Sequence, residues 1–484
     1  MNTTKTSQLH IFFFPYLAHG RTIPALDIAN LFASRGFKTT IILTPVNASI
    51  YAKTIERSRN LGLQIRVLLI KFPAEEFRLP KGCEIARLAT TNEMLATFHT
   101  ATIRLEHPLE QLIAEHRPDC LVADSLFTWA TRVAARFGIT RLEFDGTNFF
   151  SMCASMSMNK YQPHKKVSSE SEPFVIPNLP HEIKLTRDQL PFFMKQDSDQ
   201  VPKREDQAEE SELASYGVIV NSFYELERDY ADHYRRVLGR KAWHIGPTCL
   251  FYKDEEGKAQ RGDESFNTDK HECLTWLDSK EPNSVVYVCF GSVVNFSDAQ
   301  LMEIALGLEA SGKQFILVVR KARPEGSRKE EWLPEGFEKR VEGRGLIIRN
   351  WAPQVLILEH EAVGGIVTHC GWNSILEGIC AGVPMVTWPV MADQFYNEKL
   401  VVQILRIGVG VGAKKWARFV GDNVRREALE KALNQLMEGE EAEKMRSRAK
   451  VLAGKASKAF EKGGSSFSDF NALIEELLKL RRSA

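Results

Sequence analysis

The run from Trp351 to Gln394 constrains the fold of this chain more than any other part of the sequence. It contains no lysine and no arginine. Apolar residues 366–368 predict a strand of a parallel sheet, and apolar residues at helical spacing from Ile375 onward predict a helix. Gly382 and Pro384 end that helix. The chain therefore passes here from a strand into a helix within a few residues.

The turn from Gly371 to Ser374, between the predicted strand and helix, has the character of an anion site. Backbone N–H groups and the positive end of the helix dipole meet at such a turn and attract negative charge. Asn373 and Ser374 add neutral donors, and His369 adds a polarisable one. Because the run supplies no cation, backbone dipoles would hold a phosphate bound here.

Each of these residues also has a simpler interpretation. Asn373 or Ser374 could only cap the helix, and Ser374 with Glu377 fits the capping box S-x-x-E. Trp351 taken alone is more often a core residue than a platform for a base. Glu377, however, could also accept both hydroxyls of a ribose. The spacing and co-occurrence of these residues favour a nucleotide-sugar site.

The run resembles the plant secondary product glycosyltransferase box of the UDP-dependent glycosyltransferases. It contains W-A-P-Q, H-C-G-W-N-S, E-G, G-V-P, W-P and D-Q in the order of that box. Outside the run, the resemblance continues through HIFFFPYLAHGRTIPALDIA, VADSLFTWA, VNSFYELE and CFGS. The resemblance implies a donor site for a UDP-sugar.

The resemblance also implies a role for each donor-site residue. Trp351 would stack on uracil, and the Ala352 backbone would bond the edge of that base. Gln354 and Glu377 would hold the ribose. His369, Asn373 and Ser374 would bind the diphosphate at the turn that starts at Gly371, with Ser292 nearby. Trp372, Asp393 and Gln394 would contact the sugar hydroxyls.

Composition excludes several classes of protein. The 484 residues include 63 basic and 62 acidic side chains, and a formal charge of +1 gives no attraction to nucleic acid or a membrane surface. The eight cysteines lack a C-x-x-C pair, which favours buried thiols in a reducing compartment. The first apolar stretch is broken by Pro15 and is too short for a signal peptide or a spanning helix. We expect a cytoplasmic monomer without a nucleic-acid partner or integral membrane association.

The chain alternates strand and helix patterns on both sides of a polar stretch near residues 253–269. Such alternation predicts two parallel, doubly wound sheets. The predicted divisions are an N-terminal acceptor-binding Rossmann-like domain (1–250), a linker (251–270), a C-terminal UDP-sugar-binding Rossmann-like domain (271–462) and a last helix (463–484). The resemblance implies the α/β architecture called GT-B, in which the two domains face each other across a cleft and the last helix packs back on the first domain.

Three motifs are interpreted as having no catalytic meaning. Asp197-Ser198-Asp199 matches a metal-binding D-x-D but lies in a patternless polar stretch. Residues 408–412, GVGVG, lack the helix pattern that follows a dinucleotide loop. Residues 438–462 alternate charges at helical period, which predicts a solvated helix face. We expect neither a metal nor a cofactor other than the UDP-sugar co-substrate.

His19 and Asp124 are the predicted catalytic pair. His19 follows the first predicted strand, in a loop ahead of a helix that begins near Ile23, and Asp124 ends a second strand, so both lie at the sheet edge where such folds bind ligands. A carboxylate behind the imidazole would fix its tautomer and stabilise its charge. Asp124 could instead only cap a helix. The resemblance matches the pair to the family's dyad, in contexts like F-P-x-x-A-x-G-H and V-A-D-x-x-F-x-W. His19 would deprotonate the acceptor hydroxyl, and displacement would invert the anomeric carbon.

The sequence departs from the family at residues 144–148. Members often have F-H-G-T-S where this chain has FDGTN, which places Asp145 beside the cleft and makes Thr147 a weaker candidate for a sugar contact. Gln394 with Trp372 resembles enzymes that use UDP-glucose; UDP-galactose and UDP-xylose remain alternatives. The acceptor would be a small apolar metabolite of the flavonoid or triterpenoid type.

Two functions of other classes are also considered. A nicotinamide oxidoreductase needs G-x-G-x-x-G after the first strand, where this chain has FPYLAHG. A non-catalytic binder of apolar metabolites would have the pocket without the predicted pair His19 and Asp124.

Overall fold

The computed structural model describes residues 8–195, 204–261, 270–319, 332–349, 351–417 and 423–483. The strands of these residues are β1 His10–Phe14, β2 Lys38–Leu43, β3 Ile65–Leu69, β4 Cys120–Asp124, β5 Thr140–Asp145, β6 Pro173–Val175, β7 Lys184–Thr186, β8 Gly217–Val220, β9 Ala242–His244, β10 Val285–Cys289, β11 Gln314–Val319, β12 Gly345–Arg349, β13 Val363–Thr368, β14 Met385–Thr387 and β15 Gly408–Gly410.

The α-helices of the same residues are α1 His19–Ser34, α2 Pro45–Ile50, α3 Ala52–Asn60, α4 Asn92–Ile103, α5 Glu106–His116, α6 Ala130–Arg136, α7 Phe149–Tyr161, α8 Phe192–Lys195, α9 Arg204–Ala214, α10 Arg228–Asp232, α11 Glu255–Ala259, α12 Lys270–Asp278, α13 Asp298–Ala310, α14 Phe337–Arg340, α15 Gln354–Glu359, α16 Trp372–Ala381, α17 Gln394–Lys399, α18 Arg426–Met437, α19 Gly439–Phe460 and α20 Ser465–Ser483.

Two parallel sheets form the frame of the molecule, as the sequence predicts. The first has the strand order β3-β2-β1-β4-β5-β8-β9, and the second has the order β12-β11-β10-β13-β14-β15. Strand order reverses between β1 and β4 in the first sheet and between β10 and β13 in the second. Doubly wound sheets bind ligands outside the carboxyl ends of the strands at this reversal. The two reversal points therefore position the site.

Apolar side chains cover both faces of each sheet. One face of the first sheet carries a buried cluster that includes Phe13, Phe32 and Ile41. Helix α20 contributes Phe470 and Leu473 to that same cluster. The last helix thus packs against the first sheet although it follows the second one in sequence.

Several local predictions differ from the structure. Helix α1 begins at His19, before Ile23, and includes Pro24 in its interior. Proline cannot donate to the carbonyl four residues earlier, which here is that of Gly20. The Asn373 side-chain amide donates to that carbonyl instead, at 2.9 Å. A side chain from the second domain therefore supplies the hydrogen bond that Pro24 cannot make.

Two further differences concern segments expected to be irregular. Residues 168–212 are rich in proline, serine and charge, which predicts loops with short helices, but they also contain the antiparallel hairpin β6–β7. The expected linker contains helix α11. Within GVGVG, residues 408–410 form the parallel strand β15, one residue earlier than the strand 409–411 that the sequence predicts. The Asp197-Ser198-Asp199 motif lies outside the described residues.

Candidate active site

A cleft between the two sheets receives side chains from both reversal points. His19 and Arg21 follow β1, and Asp124 ends β4. Ser292 follows β10 and His369 follows β13, and both line the same cleft. With the exceptions of Asp124 and Thr147, all the site residues predicted from the sequence line this cleft.

The predicted strand, turn and helix are confirmed as β13 and α16. Gly371 is the residue that caps α16, with φ −63° and ψ 136°, and no side chain caps the helix. Ser374 is the third residue of α16 rather than its cap, so the capping-box interpretation of Ser374 and Glu377 is wrong. The first N–H groups of a helix have no intrahelical partner, and here they open onto the cleft.

Two glycines fix the position of the His369 imidazole. A Cβ atom at Gly371 would collide with its Nε2 atom, and a Cβ atom at Gly291 would lie 2.5 Å from its Cε1 atom. Gly291 also has φ +71°, a conformation that favours glycine. The imidazole therefore lies against two backbone segments at the start of α16.

The predicted nucleoside contacts form one hydrogen-bonded group. The Gln354 amide donates to the Glu377 carboxylate at 2.7 Å and to the Ser374 hydroxyl at 3.2 Å. Trp351 is half-buried and Ala352 is buried beside it. The structure thus brings the implied uracil, ribose and phosphate contacts together along one side of the cleft.

Arg261 joins this group and was missed in the sequence. Its guanidinium lies 2.7 Å from Glu377 and 2.9 Å from Asp27 of α1, and it is only 7% exposed. Burial raises the pKa of Asp27 to about 6, although Arg261 and Thr248 act in the opposite direction. The residue lies in the expected linker, where polar composition gave no sign of a buried cation.

Cations from outside the Trp351–Gln394 run also reach the cleft, and the described contacts pair them with carboxylates. Lys258 lies 2.5 Å from Glu359, and Arg261 lies between its two acidic partners. With these cations paired, the first N–H groups of α16 are the positively polarised groups on the side of the cleft predicted to bind the UDP-sugar, which is called the donor side below.

The sugar end of the site contains Trp372, Asp393 and Gln394. The Trp372 indole N–H is donated to the Asn221 carbonyl at 2.8 Å, so the indole does not offer it to a sugar. The Gln394 side-chain oxygen accepts the backbone N–H groups of Val390 and Met391 at 2.9 Å, which leaves its amide nitrogen as the group that can donate. Thr147 donates its hydroxyl to Asp393. Thr147 therefore lies behind Asp393, a predicted sugar contact, rather than against the sugar.

The predicted hydrogen bond between His19 and Asp124 is wrong. His19 Nδ1 lies 2.7 Å from the Tyr51 hydroxyl. Asp124 accepts the Leu126 backbone N–H at 3.0 Å, and its other carboxylate oxygen lies 3.6 Å from Arg21 Nη1. Because α1 begins at His19, its first turn directs His19 toward Tyr51 and Arg21 toward Asp124.

The motif F-P-x-x-A-x-G-H places its histidine at residue 21 of this chain. In F-P-x-x-A-x-G-H, the phenylalanine, proline, alanine and glycine match residues 14, 15, 18 and 20, and the histidine position is occupied by Arg21. The histidine predicted to be catalytic, His19, lies two residues before that position. The residue that faces Asp124 is an arginine.

Arg21 and its acidic neighbours form a charged cluster at the cleft. Arg21 Nη1 also lies 3.1 Å from Asp145, the residue at which the chain departs from the family. Burial alone would lower the pKa of Arg21, but Asp124 and Asp145 raise it. Burial raises the pKa of Asp124 and of Asp393, against the effect of Arg21. The guanidinium thus stays protonated among three carboxyl groups.

The wall opposite the donor side is largely apolar. It is formed by the first domain and includes Tyr16, Ile23, Ala86, Leu95, His99 and Leu126. Tyr16 and His99 are hydrogen-bonded to each other through the hydroxyl and Nδ1. A flat or apolar molecule would fit against this wall with its polar group near Arg21.

The described residues contain no metal-ligand cluster and no membrane-spanning helix. Within the described ranges, no three His, Cys, Asp or Glu side chains are grouped so that they could hold a metal ion. None of the described helices combines the length and apolar character needed to cross a membrane.

The chain is similar throughout to plant glycosyltransferases. The family model described as "UDP-glucoronosyl and UDP-glucosyl transferase" matches residues 262–446. The UDP-glucose flavonoid 3-O-glucosyltransferase 7 of Fragaria ananassa is 58% identical over 99% of this chain and 98% of the relative. The scopoletin glucosyltransferase of Nicotiana tabacum is 54% identical over 97% of this chain and 98% of the relative.

A solved structure agrees with the fold. The Glycyrrhiza uralensis UGT73P12 complexed with glycyrrhetinic acid 3-O-monoglucuronide superposes with a TM-score of 0.90 at 40% identity, covering 99% of this chain and 97% of the other. The paired Rossmann-like domains are thus the GT-B fold that the resemblance implied. On its sequence, its fold and its donor-side motif, this chain belongs to the UDP-glycosyltransferase family of plants.

Proposed function

We propose that the protein transfers glucose from UDP-glucose to a hydroxyl group of a small apolar plant metabolite, with inversion at the anomeric carbon. The observation that supports this best is the convergence of the start of α16, His369 and Gln394 on one cleft whose other wall is apolar. The relatives named as glucosyltransferases of flavonoids and scopoletin support glucose and a phenol-like acceptor.

The reaction would use the electrostatics of the helix start. UDP lies with uracil at Trp351, ribose at Glu377 and diphosphate at the first N–H groups of α16. The acceptor oxygen attacks the anomeric carbon from the side of the first domain. As the bond to UDP breaks, negative charge grows on the diphosphate, and preorganised donors there lower the barrier. No cation from the Trp351–Gln394 run takes part.

Incubation with UDP-glucose and a panel of phenolic and triterpenoid alcohols tests the proposal. We expect UDP release and a product heavier than the acceptor by one hexose residue. UDP-galactose and UDP-xylose are the donor controls and should give about 10-fold lower kcat/KM, the scale of the net contribution of one hydrogen bond. Tight binding of the acceptors without UDP release from any donor would instead indicate a non-catalytic binder.

A further inference from the structure

A chain of side-chain hydrogen bonds crosses the interface between the two domains beside the sugar end of the site. Asn397 of α17 is fully buried. Its Oδ1 atom accepts the Asn148 amide at 2.7 Å and the Ser151 hydroxyl at 2.8 Å, both at the start of α7 in the first domain. Its Nδ2 atom donates to the Cys370 carbonyl at 2.9 Å and to Asp393 Oδ2 at 3.1 Å. One side chain of the second domain therefore connects α7 with the sugar end of the site.

Backbone groups at both ends fix the orientation of the two amides. The Ser151 backbone N–H can only donate, and it donates to Asn148 Oδ1 at 2.8 Å, which caps α7. The Asn148 NH2 group is therefore the one that faces Asn397. The Cys370 carbonyl can only accept, so Asn397 must present its own NH2 group to that side. Asn148 and Asn397, called the amide relay below, thus donate in one direction, from the first domain toward the donor side.

The amide relay ends on the carboxylate of Asp393, which lines the cleft. Oδ2 of this carboxylate accepts the Thr147 hydroxyl as well as the Asn397 amide. Two donors on one oxygen restrict rotation of the carboxylate, and Oδ1 is then the oxygen left to accept a sugar hydroxyl. Burial raises the pKa of this carboxyl, whereas Thr147, Arg21 and Asn397 lower it. Donation from the relay therefore helps to keep Asp393 ionised and in one orientation.

We propose that Asn148 and Asn397 are positioning residues for the donor sugar, because the amide relay sets the orientation in which Asp393 meets that sugar. Recognition of the sugar then depends on a residue of the first domain, although Asp393 belongs to the second. A buried polar network that is fully hydrogen-bonded specifies a single arrangement of its members. The inference rests on the proposed function, since it requires the sugar of UDP-glucose to lie at Asp393.

The substitution Asn148→Asp interrupts the amide relay without removing the cap of α7. Aspartate caps a helix as well as asparagine does, so the bond from the Ser151 backbone N–H is retained. Its second oxygen accepts instead of donating, and it faces Asn397 Oδ1. If Asn397 keeps its orientation, two acceptors meet at residue 148. If Asn397 turns over, its oxygen meets Asp393 and the Cys370 carbonyl. Neither orientation satisfies both ends of the relay.

Kinetics of the full-length protein with UDP-glucose, and with UDP as product inhibitor, test the inference. Asn148→Asp is expected to lower kcat/KM for UDP-glucose about 10- to 10²-fold, the scale of one hydrogen bond to a charged group, and to change the inhibition constant of UDP less than about 3-fold. UDP has no sugar to contact Asp393, so its binding does not depend on the orientation of that carboxylate. An unchanged kcat/KM, or equal losses for UDP and UDP-glucose, would overturn the inference.

Asn148→Ser is the matched control at the same position. Serine also caps helices, and its hydroxyl can donate as well as accept. The Ser151 hydroxyl still donates to Asn397 in this variant, so the direction of the relay is kept. We expect kcat/KM for UDP-glucose within about 3-fold of wild type, because losing one of two neutral donors costs less than reversing the relay. A loss as large as that of Asn148→Asp would show that the direction of donation does not matter.

Two further variants show whether the amide relay acts through Asp393. Asn397→Asp keeps the size of the side chain and removes the donor to Asp393, so the same selective loss for UDP-glucose is expected even if Asn148→Asp proves unstable. In an Asp393→Asn background, Asn148→Asp is expected to cost less than about 3-fold, because residues of one hydrogen-bond network are non-additive. Losses that simply add, or an Asn397→Asp variant that binds UDP and UDP-glucose as wild type does, would contradict the positioning role.

A failure of the inference is distinct from a failure of the proposed function. The unfolding midpoint shows whether each variant folds, and calorimetric titration with UDP-glucose and with UDP tests the relay without turnover. Active variants that lose affinity for both nucleotides equally contradict only the role of the amide relay. Absence of UDP release from wild-type protein with every acceptor contradicts the proposed function itself.

Discussion

Replacing Gly371 with alanine is expected to lower kcat/KM for UDP-glucose by about 10²-fold or more, the scale of losing one preorganised donor to a developing anion. The backbone at residue 371 has φ −63° and ψ 136°, which alanine adopts without strain. Its Cβ atom, however, would collide with the His369 imidazole. The imidazole must then leave the start of α16, where the diphosphate is proposed to bind.

Gly454→Ala is the matched control for this change. Nothing lies within 4 Å of a Cβ atom at residue 454, which is inside α19. We expect it to keep wild-type activity and to gain up to about 1 kcal/mol of stability, because alanine is the better helix former. Steady-state kinetics and calorimetric titration with UDP give the comparison. If Gly371→Ala retained kcat/KM within about 3-fold of wild type, His369 would have no part in holding the donor.

Replacing Arg261 with glutamine is expected to destabilise the protein by roughly 3 kcal/mol and to weaken UDP binding. The change leaves Asp27 and Glu377 buried without their cation, and breaking a buried pair in this way costs about 3–5 kcal/mol. Glu377 also loses the contact that fixes the carboxylate proposed to hold the ribose. KM for UDP-glucose is therefore expected to rise more than kcat falls.

The stability of Arg261→Gln is also expected to depend on pH. Burial already raises the pKa of Asp27 in the folded protein to about 6, from an ordinary value of 3.8, and loss of Arg261 raises it further. The folded variant then binds a proton that the unfolded chain has released. Since stability falls with pH when the folded state binds more protons, the variant is expected to be more stable at pH 5.5 than at pH 8, relative to wild type.

Arg132→Gln is the control for the loss of an arginine. Arg132 pairs with Glu106 on the surface, with 59% of its side chain exposed, and exposed pairs contribute about 0–1 kcal/mol. Denaturant unfolding of both variants at the two pH values measures the difference. Equal stability of the two variants would show that the ion pairs of Arg261 with Asp27 of α1 and Glu377 of α16 do not stabilise the fold.

The strands and helices that the sequence predicted are those defined by residues close together in the chain. The strand β13 and helix α16 follow from apolar spacing and from Gly382, which ends the helix with φ +71°. The hairpin β6–β7 was missed because its two strands are three residues each, which is too short to show an alternating pattern.

The site residues that sequence analysis missed are defined by tertiary contacts. Arg261 meets Glu377 across 116 positions of sequence, and nothing in its polar surroundings distinguishes it from a solvated linker residue. Arg21 could have been found, because the quoted motif places its histidine at that position. A histidine lies two residues earlier, at His19, and the predicted start of α1 near Ile23 placed both residues in a loop. Only the direction of the first helical turn shows which side chain reaches Asp124.

A crystal structure of the protein with UDP tests the central claim most directly. The account predicts that the diphosphate accepts hydrogen bonds from the N–H groups of residues 372–374, beside His369, with no lysine or arginine of the 351–394 run available to bind it. Diphosphate density on Arg21, Lys258 or Arg261, with the start of α16 unoccupied, would contradict it.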